Sequence, residues 1–247
     1  MGCRAKPPNH EDPLAPQPSR AGRNRPHVPA CLWPSVSGTA WLKPVQLAVY
    51  MYFLAGTLLI GLRRWDLDQL GLNRKGIGLS LACGLAFVVG RILVVVATDL
   101  PWKLQPITLE RIVYDVAFYF GLVGLIEELL FRGLMYRALD EWRGARLALW
   151  GSALVFGLYH TGGQGPLGGL GTFITGVVFG AIRWRAGGIL GLIVAHGLAD
   201  VTSTWLLPGF NIQLLSRPQI VHPTLLILGY GLILGVPVYL WKAPTRK

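Results

Sequence analysis

Two adjacent glutamates, Glu127 and Glu128, lie in an apolar stretch, and Arg132 follows four residues after the second of them. Residues i and i+4 share one face of a helix, so Arg132 can hold Glu128 in its charged form. Glu127 is rotated by about 100° from Glu128 around the helix axis and can point elsewhere. Since an ion pair needs only one glutamate, the second carboxylate is suited to act as a general base near neutral pH.

Two histidines lie in other apolar segments. His160 closes a short segment just before the Gly-rich stretch 161–166, and taken alone it is typical of an interface or capping residue. His196 and Asp200 are i and i+4 on one face of a later segment. They form either a hydrogen bond that fixes the histidine tautomer or a pair that binds an oxyanion or a metal. Gly197 allows a neighbouring helix or a substrate backbone to approach.

Ionisable side chains in hydrocarbon each cost about 2.5–3.5 kcal/mol on insertion scales. Six of them lie within or at the ends of apolar segments here: Glu127, Glu128, Arg132, His160, His196 and Asp200. Such a set requires mutual pairing, a water-containing cavity or a function. One alternative is that each pair only joins helices, and Arg91 is expected to pair in this way with Asp115.

The composition predicts the elements that must position these residues. Of 247 residues, 52% are hydrophobic and 14% are charged, whereas an ordinary soluble domain is about 25% charged. The sequence therefore excludes a disordered chain and predicts an all-α fold, a polytopic transmembrane helix bundle over residues 41–247. A short interfacial helix is predicted at 63–75. Since a membrane span needs about 20 apolar residues, we predict about seven spans: 44–62, 76–98, 111–139, 146–160, 167–184, 187–207 and 224–241.

Residues 1–40 are rich in Pro and Arg and hold almost no apolar cluster, which predicts a disordered basic tail. The net charge is +11, and the basic residues stand beside apolar runs, which favours membrane lipid over nucleic acid as the partner. The cysteines Cys3, Cys31 and Cys83 form neither a C-x-x-C pair nor a disulfide framework. The sequence thus predicts an integral, multi-pass membrane protein, while the Lys and Arg distribution leaves its orientation open.

Three short patterns follow one another on successive apolar segments: Glu127-Glu128-x-x-x-Arg132, Phe156-x-x-x-His160 and His196-x-x-x-Asp200. Together they resemble the CPBP family of CAAX prenyl proteases and bacteriocin-processing (Abi-type) enzymes. The resemblance covers roughly residues 66–206. It implies an intramembrane endopeptidase that hydrolyses a peptide bond near the end of a membrane-associated or lipidated peptide.

The resemblance also implies a role for each residue of the first two patterns. Glu127 would act with His160 to activate a water molecule for attack on a peptide carbonyl. Glu128 and Arg132 would complete and orient the site. These roles agree with the expectation, made from the residues themselves, of one charged and one proton-accepting carboxylate.

The third pattern would stabilise the oxyanion, but it departs from the prenyl-protein enzyme of the family, which has Asn at the last position. Asn can donate a hydrogen bond, whereas an ionised aspartate cannot. Asp200 is therefore expected to be protonated, to orient His196 or to bind a metal. The oxyanion role is expected of His196.

Metal dependence and two other function classes stay open. Glu127, His160 and His196 are candidate ligands for a divalent metal such as zinc, but H-E-x-x-H is absent, and we favour a mechanism without a tightly bound catalytic metal. The first alternative function is a non-catalytic bacteriocin-immunity or membrane partner protein. The second is a proton-coupled transporter with a Glu–His–Asp relay, although the sequence shows no paired broken helices of the transporter kind.

Overall fold

The computed structural model describes residues 42–98, 108–206 and 220–242, and the predicted tail at 1–40 lies outside them. Within these ranges every regular element is a helix, which confirms the all-α part of the predicted fold class. The helices are α1 (Leu42–Leu62), α2 (Ile77–Val96), α3 (residues 109–143), α4 (Ala145–Ala186), α5 (Leu190–Leu206) and α6 (Pro223–Lys242).

Helix α3 is continuous but alternates between α and π hydrogen-bonding patterns. Its α-helical parts are Leu109–Asp115, Leu125–Glu127 and Tyr136–Arg143, and its π-helical parts are Val116–Gly124 and Glu128–Met135. The side chain of Thr108 caps its start by accepting from the backbone N–H of Arg111, and Gly144 ends it at a φ of 88°. The second π-helical part carries Glu128 and Arg132. Because π turns occur frequently at functional sites, this part of α3 is a candidate functional segment.

Helix α4 reverses its direction in the middle. It covers 42 residues, and Gly165, with the non-helical angles φ 72° and ψ 175°, divides it into two halves. Beyond this residue Gly176 lies against Ala153, and Gly180 lies against Leu149. The pairing of later residues with earlier ones shows that the two halves of α4 pack antiparallel as a hairpin.

Two predicted elements differ from the structure. The predicted spans 146–160 and 167–184 are the two halves of α4, so the described residues form six helices where about seven were predicted. The connection at 63–75 consists of turns, and the predicted interfacial helix is wrong. The reason is that Leu70 is fully buried between α1 and α3, which draws this segment into the core.

Helix α2 is the centre of the bundle and packs against α4, α5 and α6. The first part of α3 packs on α5, its last turns pack on α4, and α1 contacts its middle. Small residues permit these approaches: a Cβ at Gly84 of α2 would overlap Ala195 of α5. In lipid, where no hydrophobic drive acts between helices, close packing of this kind would hold them together.

The outer surface of the bundle is apolar. Leu109 is 77% exposed and Ile227 is 72% exposed, and they are two of many large hydrophobic side chains on this surface. Soluble proteins rarely expose contiguous apolar surface of this extent. Among the described residues, three helices are long and apolar enough to cross a bilayer: Ile77–Val96, Ala145–Ala186 and Pro223–Lys242.

One end of the bundle is strongly basic. It gathers the ends of α1, α3 and α6, the starts of α2 and α5, and both ends of α4. Ile189 N–H donates to the Gly71 carbonyl (2.8 Å), Arg64 donates to Glu141, and Arg185 donates to the Leu240 carbonyl. We name it the basic end. Its ten described basic residues are Arg63, Arg64, Arg74, Lys75, Arg137, Arg143, Arg146, Arg183, Arg185 and Lys242, against the four acidic residues Asp66, Asp68, Asp140 and Glu141.

Candidate active site

Glu128 and Arg132 form a fully buried ion pair on the second π-helical part of α3. Arg132 Nη1 donates to Glu128 Oε1 across 3.0 Å, and neither side chain is exposed. This confirms the pairing predicted from the i, i+4 spacing. Removing one partner from a pair of this kind leaves a buried charge uncompensated, so each residue depends on the other.

Two aromatic rings enclose the arginine. The guanidinium carbon of Arg132 lies 4.2 Å from the ring centre of Phe156 and 5.4 Å from that of Phe179. Cation–π attraction stabilises a charge that has been removed from water. Phe156 belongs to the second sequence pattern, whereas sequence analysis did not identify Phe179, since nothing separates it there from the other apolar residues of its segment.

His196 joins the buried pair from the neighbouring helix α5. Its Nδ1 lies 2.7 Å from Glu128 Oε1, and because the ionised carboxylate only accepts, Nδ1 carries the hydrogen. The other ring nitrogen, Nε2, faces the opposite way. It lies 3.6 Å from Glu127 Oε2 and 3.6 Å from Asp200 Oδ2. His196 thus links the Glu128–Arg132 pair to the two remaining carboxylates.

Glu127 faces two imidazoles from two different helices. Its Oε2 lies 3.7 Å from His160 Nε2 and 3.6 Å from His196 Nε2, and it has no hydrogen-bond partner among the described residues. His160 Nδ1 donates to the carbonyl oxygen of Phe156 across 2.9 Å. This bond fixes the tautomer of His160, so that in the neutral ring Nε2 is an acceptor directed at Glu127.

Glycines bring α3 and α5 close enough for these contacts. A Cβ at Gly124 would lie 3.0 Å from a backbone carbonyl of α5, and a Cβ at Gly197 would overlap the ring of Phe120. Sequence analysis expected Gly197 to admit either a neighbour or a substrate backbone, and the structure places a neighbouring ring there. The close approach allows Glu128 to reach His196.

Arg91 and Asp115 do not pair, so that prediction is wrong. Arg91 Nη2 donates to Ser203 Oγ across 2.7 Å. Asp115 instead accepts from Arg111 across 3.4 Å and from the indole N–H of Trp205. The physical reason is that α5 packs between α2 and the first part of α3, so each group finds its partner on α5 or on its own helix.

The structure brings all six predicted residues into one cluster through contacts below 4 Å: Glu127, Glu128, Arg132, His160, His196 and Asp200. They come from α3, from the first half of α4 and from α5. The side chains of Asp200 and His160, with 30% and 16% exposed, are more accessible than the others. Solvent therefore has no access to the cluster at Arg132 and reaches it at Asp200 and His160.

Arg183, which was not predicted from the sequence, contacts the backbone of the cluster at Arg132. This buried arginine near the end of α4 donates through Nε to the carbonyl of Arg132 across 3.0 Å and through Nη2 to that of Gln69 across 3.2 Å. A third bond joins Nη1 to the carbonyl of Gly187. In the sequence, Arg183 stands at the end of an apolar run and resembles any juxtamembrane arginine, so no signal separated it.

The two histidines among the three candidate metal ligands each lie within 4 Å of Glu127 Oε2. Glu127, His160 and His196 offer one oxygen and two nitrogens, donor types that zinc accepts. In the parts of the chain that the structure describes, however, no group of three or more His, Cys, Asp or Glu is arranged to hold a metal ion. The donor types therefore suit zinc, whereas their arrangement does not, and the proposed chemistry assigns no step to a metal.

Comparison with known proteins points in the same direction as the site. Residues 109–202 match the family model described as Rce1-like, type II CAAX prenyl endopeptidase Rce1-like, a segment narrower than the predicted 66–206. No curated protein and no solved structure matches the chain. The matched segment contains all six residues of the cluster. The match supports, over this segment, the resemblance to the CPBP family of CAAX-type intramembrane proteases.

Proposed function

We propose that the protein is an intramembrane endopeptidase that hydrolyses a peptide bond near the end of a membrane-associated or lipidated peptide. The observation that carries this proposal is the convergence of Glu127 Oε2 with the Nε2 atoms of His160 and His196. A carboxylate base beside imidazoles, in a site with little access to bulk water, suits the hydrolysis of an amide.

Glu127 and His160 would activate the attacking water. The water donates one hydrogen bond to Glu127 Oε2 and one to His160 Nε2, whose lone pair is available because Nδ1–H is bonded to the Phe156 carbonyl. As the water oxygen bonds to the peptide carbon, Glu127 takes the proton and the carbonyl electron pair moves to oxygen. When the C–N bond breaks, Glu127 returns this proton to the leaving nitrogen.

His196 would stabilise the oxyanion of the tetrahedral intermediate. With Nδ1–H committed to Glu128, a protonated ring presents Nε2–H on the side of Glu127, where the substrate carbonyl would lie. Arg132 fixes Glu128 and therefore the ring plane. Asp200 Oδ2, at 3.6 Å from the same Nε2, would orient His196 without donating to the oxyanion itself.

We propose a multi-pass topology in which the halves of α4 cross the membrane separately. The exposed apolar surface and the three long apolar helices support this topology. His160 lies five residues before the reversal at Gly165, and Asp200 lies in the second half of α5. A substrate would therefore enter from the half of the bundle that lies away from the basic end.

The test is peptide cleavage by the purified full chain in detergent, with C-terminal peptides that carry a prenylated or an unmodified cysteine. Glu127→Gln keeps the shape of the side chain and removes the base, so we expect cleavage to fall by about 10²–10⁴-fold. Glu110→Gln, an exposed position on the same helix, is the matched control. Cleavage by Glu127→Gln at the parental rate would contradict the proposal that Glu127 is the base, and the absence of cleavage by the parent would favour a non-catalytic membrane partner.

A further inference from the structure

Arg91 lies on α2 near the candidate active site, and the proposed chemistry assigns it no step. It follows Phe87 by one turn on the same face of the helix, and the ring of Phe87 packs on that of Phe179 at 5.5 Å. The ring of Phe179 in turn lies 6.0 Å from that of His196. Since α2 begins at the basic end with Ile77, Arg91 lies beyond this aromatic layer, in the half of the bundle from which a substrate would enter.

Arg91 has hydrogen-bond donors that the protein does not use. Its Nη2 donates to Ser203 Oγ across 2.7 Å, and its Nη1 lies 3.5 Å from the carbonyl of Ala199, at the limit of a hydrogen bond. Nε has no hydrogen-bond partner in the parts of the chain that the structure describes. The residue is half-buried, and its Nε, unlike that of Arg132, is not closed off from solvent. Because a guanidinium has five N–H groups, Arg91 can still bind an acceptor that reaches it through solvent.

The charge of Arg91 is only partly compensated. Over the described ranges, no carboxylate lies within ion-pair distance of it. Asp200 attracts Arg91 from further away, but this carboxylate is 3.6 Å from Nε2 of His196 and is shared with the protonated imidazole of the proposed mechanism. An arginine among apolar helices is costly, and such residues usually face a partner or a water-filled cavity. An anion bound at Arg91 would supply the missing counter-charge.

Arg91 lies within reach of a short peptide bound at the reacting groups. Its partner Ser203 follows His196 by seven residues on α5, which is two turns along one face and about 10 Å along the helix axis. An extended peptide advances about 3.3 Å per residue. A peptide whose scissile carbonyl lies at His196 can therefore bring a carboxylate about three residues further along to Arg91.

We propose that Arg91 binds the free C-terminal carboxylate of the peptide and thereby selects the end at which the substrate is cut. This role rests on the proposed function and adds to it the chemical group that the site recognises. Arginine suits the role because its planar guanidinium binds a carboxylate through two parallel hydrogen bonds. A peptide N-terminus carries the opposite charge and would be repelled, and a C-terminal amide carries no charge.

The experiment compares two peptides of one sequence, ending in a carboxylate or in an amide, as substrates of the purified full chain in detergent. We expect the parent to cleave the carboxylate peptide with a kcat/KM about tenfold higher, as expected for hydrogen bonds between charged groups. Arg91→Gln should remove most of this preference by raising KM for the carboxylate peptide, and it should change cleavage of the amide peptide little. Arg111→Gln is the matched control, because it removes the same charge from the same half of the bundle at a residue already paired with Asp115.

The preference between the two peptides separates recognition from a structural role. A loss of the same factor for both peptides in Arg91→Gln would overturn the proposal, as would a preference lost equally in Arg111→Gln. Equal cleavage of the two peptides by the parent would overturn it as well, and would leave the proposed endopeptidase activity intact. The absence of cleavage of either peptide by the parent would contradict the proposed function, and this role of Arg91 with it.

Discussion

Nδ1 of His196 donates to Oε1 of Glu128 across 2.7 Å, a hydrogen bond that joins α5 to α3 inside the bundle. The same oxygen accepts from Arg132 at 3.0 Å. Glu128 is therefore a positioning residue, placed between a fixed cation and the imidazole whose far nitrogen faces Glu127. This relationship separates the two adjacent carboxylates into a supporting and a reacting group.

Replacement of Glu128 by Ala should destabilise the protein strongly. Arg132 would remain fully buried without its counter-charge, and breaking a buried pair in this way costs about 3–5 kcal/mol. The free energy of unfolding in a denaturant series is the measurement. Glu110→Ala, at an exposed position of the same helix, should change it by less than about 0.5 kcal/mol, and equal losses in the two variants would show that the buried pair does not carry this stability.

His160→Asn should separate folding from activity. An asparagine amide can reproduce the donation from Nδ1 to the Phe156 carbonyl, but it provides no acceptor where Nε2 faces Glu127. We expect a thermal midpoint close to the parent and cleavage reduced by about 10²–10⁴-fold. His222→Asn, at an exposed position outside the site, is the control, and full activity of His160→Asn would exclude His160 from water activation.

Gly197→Ala should move α5 away from α3, because the new Cβ would overlap the ring of Phe120. Overpacking of this kind costs about 1–3 kcal/mol, and it should lengthen the bond from His196 to Glu128. Gly121→Ala is the matched control, since a Cβ there has nothing within 4 Å. Both variants are assayed for thermal stability and cleavage, and normal cleavage by Gly197→Ala would count against a need for this close approach.

Asp200→Asn tests whether the carboxylate orients His196 or acts through its charge. Asparagine keeps an acceptor oxygen near Nε2 of His196 and also offers a donor, so we expect Asp200→Asn to cleave within about tenfold of the parent. His196→Ala removes the oxyanion donor, and its cleavage should fall by about 10²–10³-fold. The ratio of kcat values measures this difference. A loss with Asp200→Asn as large as with His196→Ala would assign an essential role to the negative charge.

The spacing of residues on one helix predicted the Glu128–Arg132 pair of the candidate active site. It did not predict contacts between residues that are distant in the sequence. The pairing of Glu128 with Arg132 follows from i, i+4 geometry on one helix, which holds in the π-helical part as well. The supporting bond from Arg183 to the Arg132 carbonyl joins residues 51 positions apart. The wrong pairing of Arg91 with Asp115 has the same origin, because only the packing order of α2, α5 and α3 decides which groups meet.

The apolar runs predicted where the two halves of α4 lie, and the break at Gly165 falls inside the Gly-rich stretch 161–166 that separates them. The backbone angles of that break are not specified by a sequence pattern. Leu70 is the opposite case, since an apolar residue that was expected on an interfacial helix is fully buried in the core. Tertiary packing therefore overrode the local pattern at Leu70.

The π-helical turns of α3 determine the direction in which each side chain of the site points around the helix axis. A π-helical turn accommodates more residues than an α-helical one, and deletion of one residue from 129–131 would place Arg132 three positions after Glu128 instead of four. Arg132 would then lie at a different angle around the helix axis from Glu127 and Glu128, since each residue of an α-helix turns by about 100°. Glu127 and Arg132 would no longer face their present neighbours together, so the length of this segment is as much a determinant of the site as the identity of its side chains.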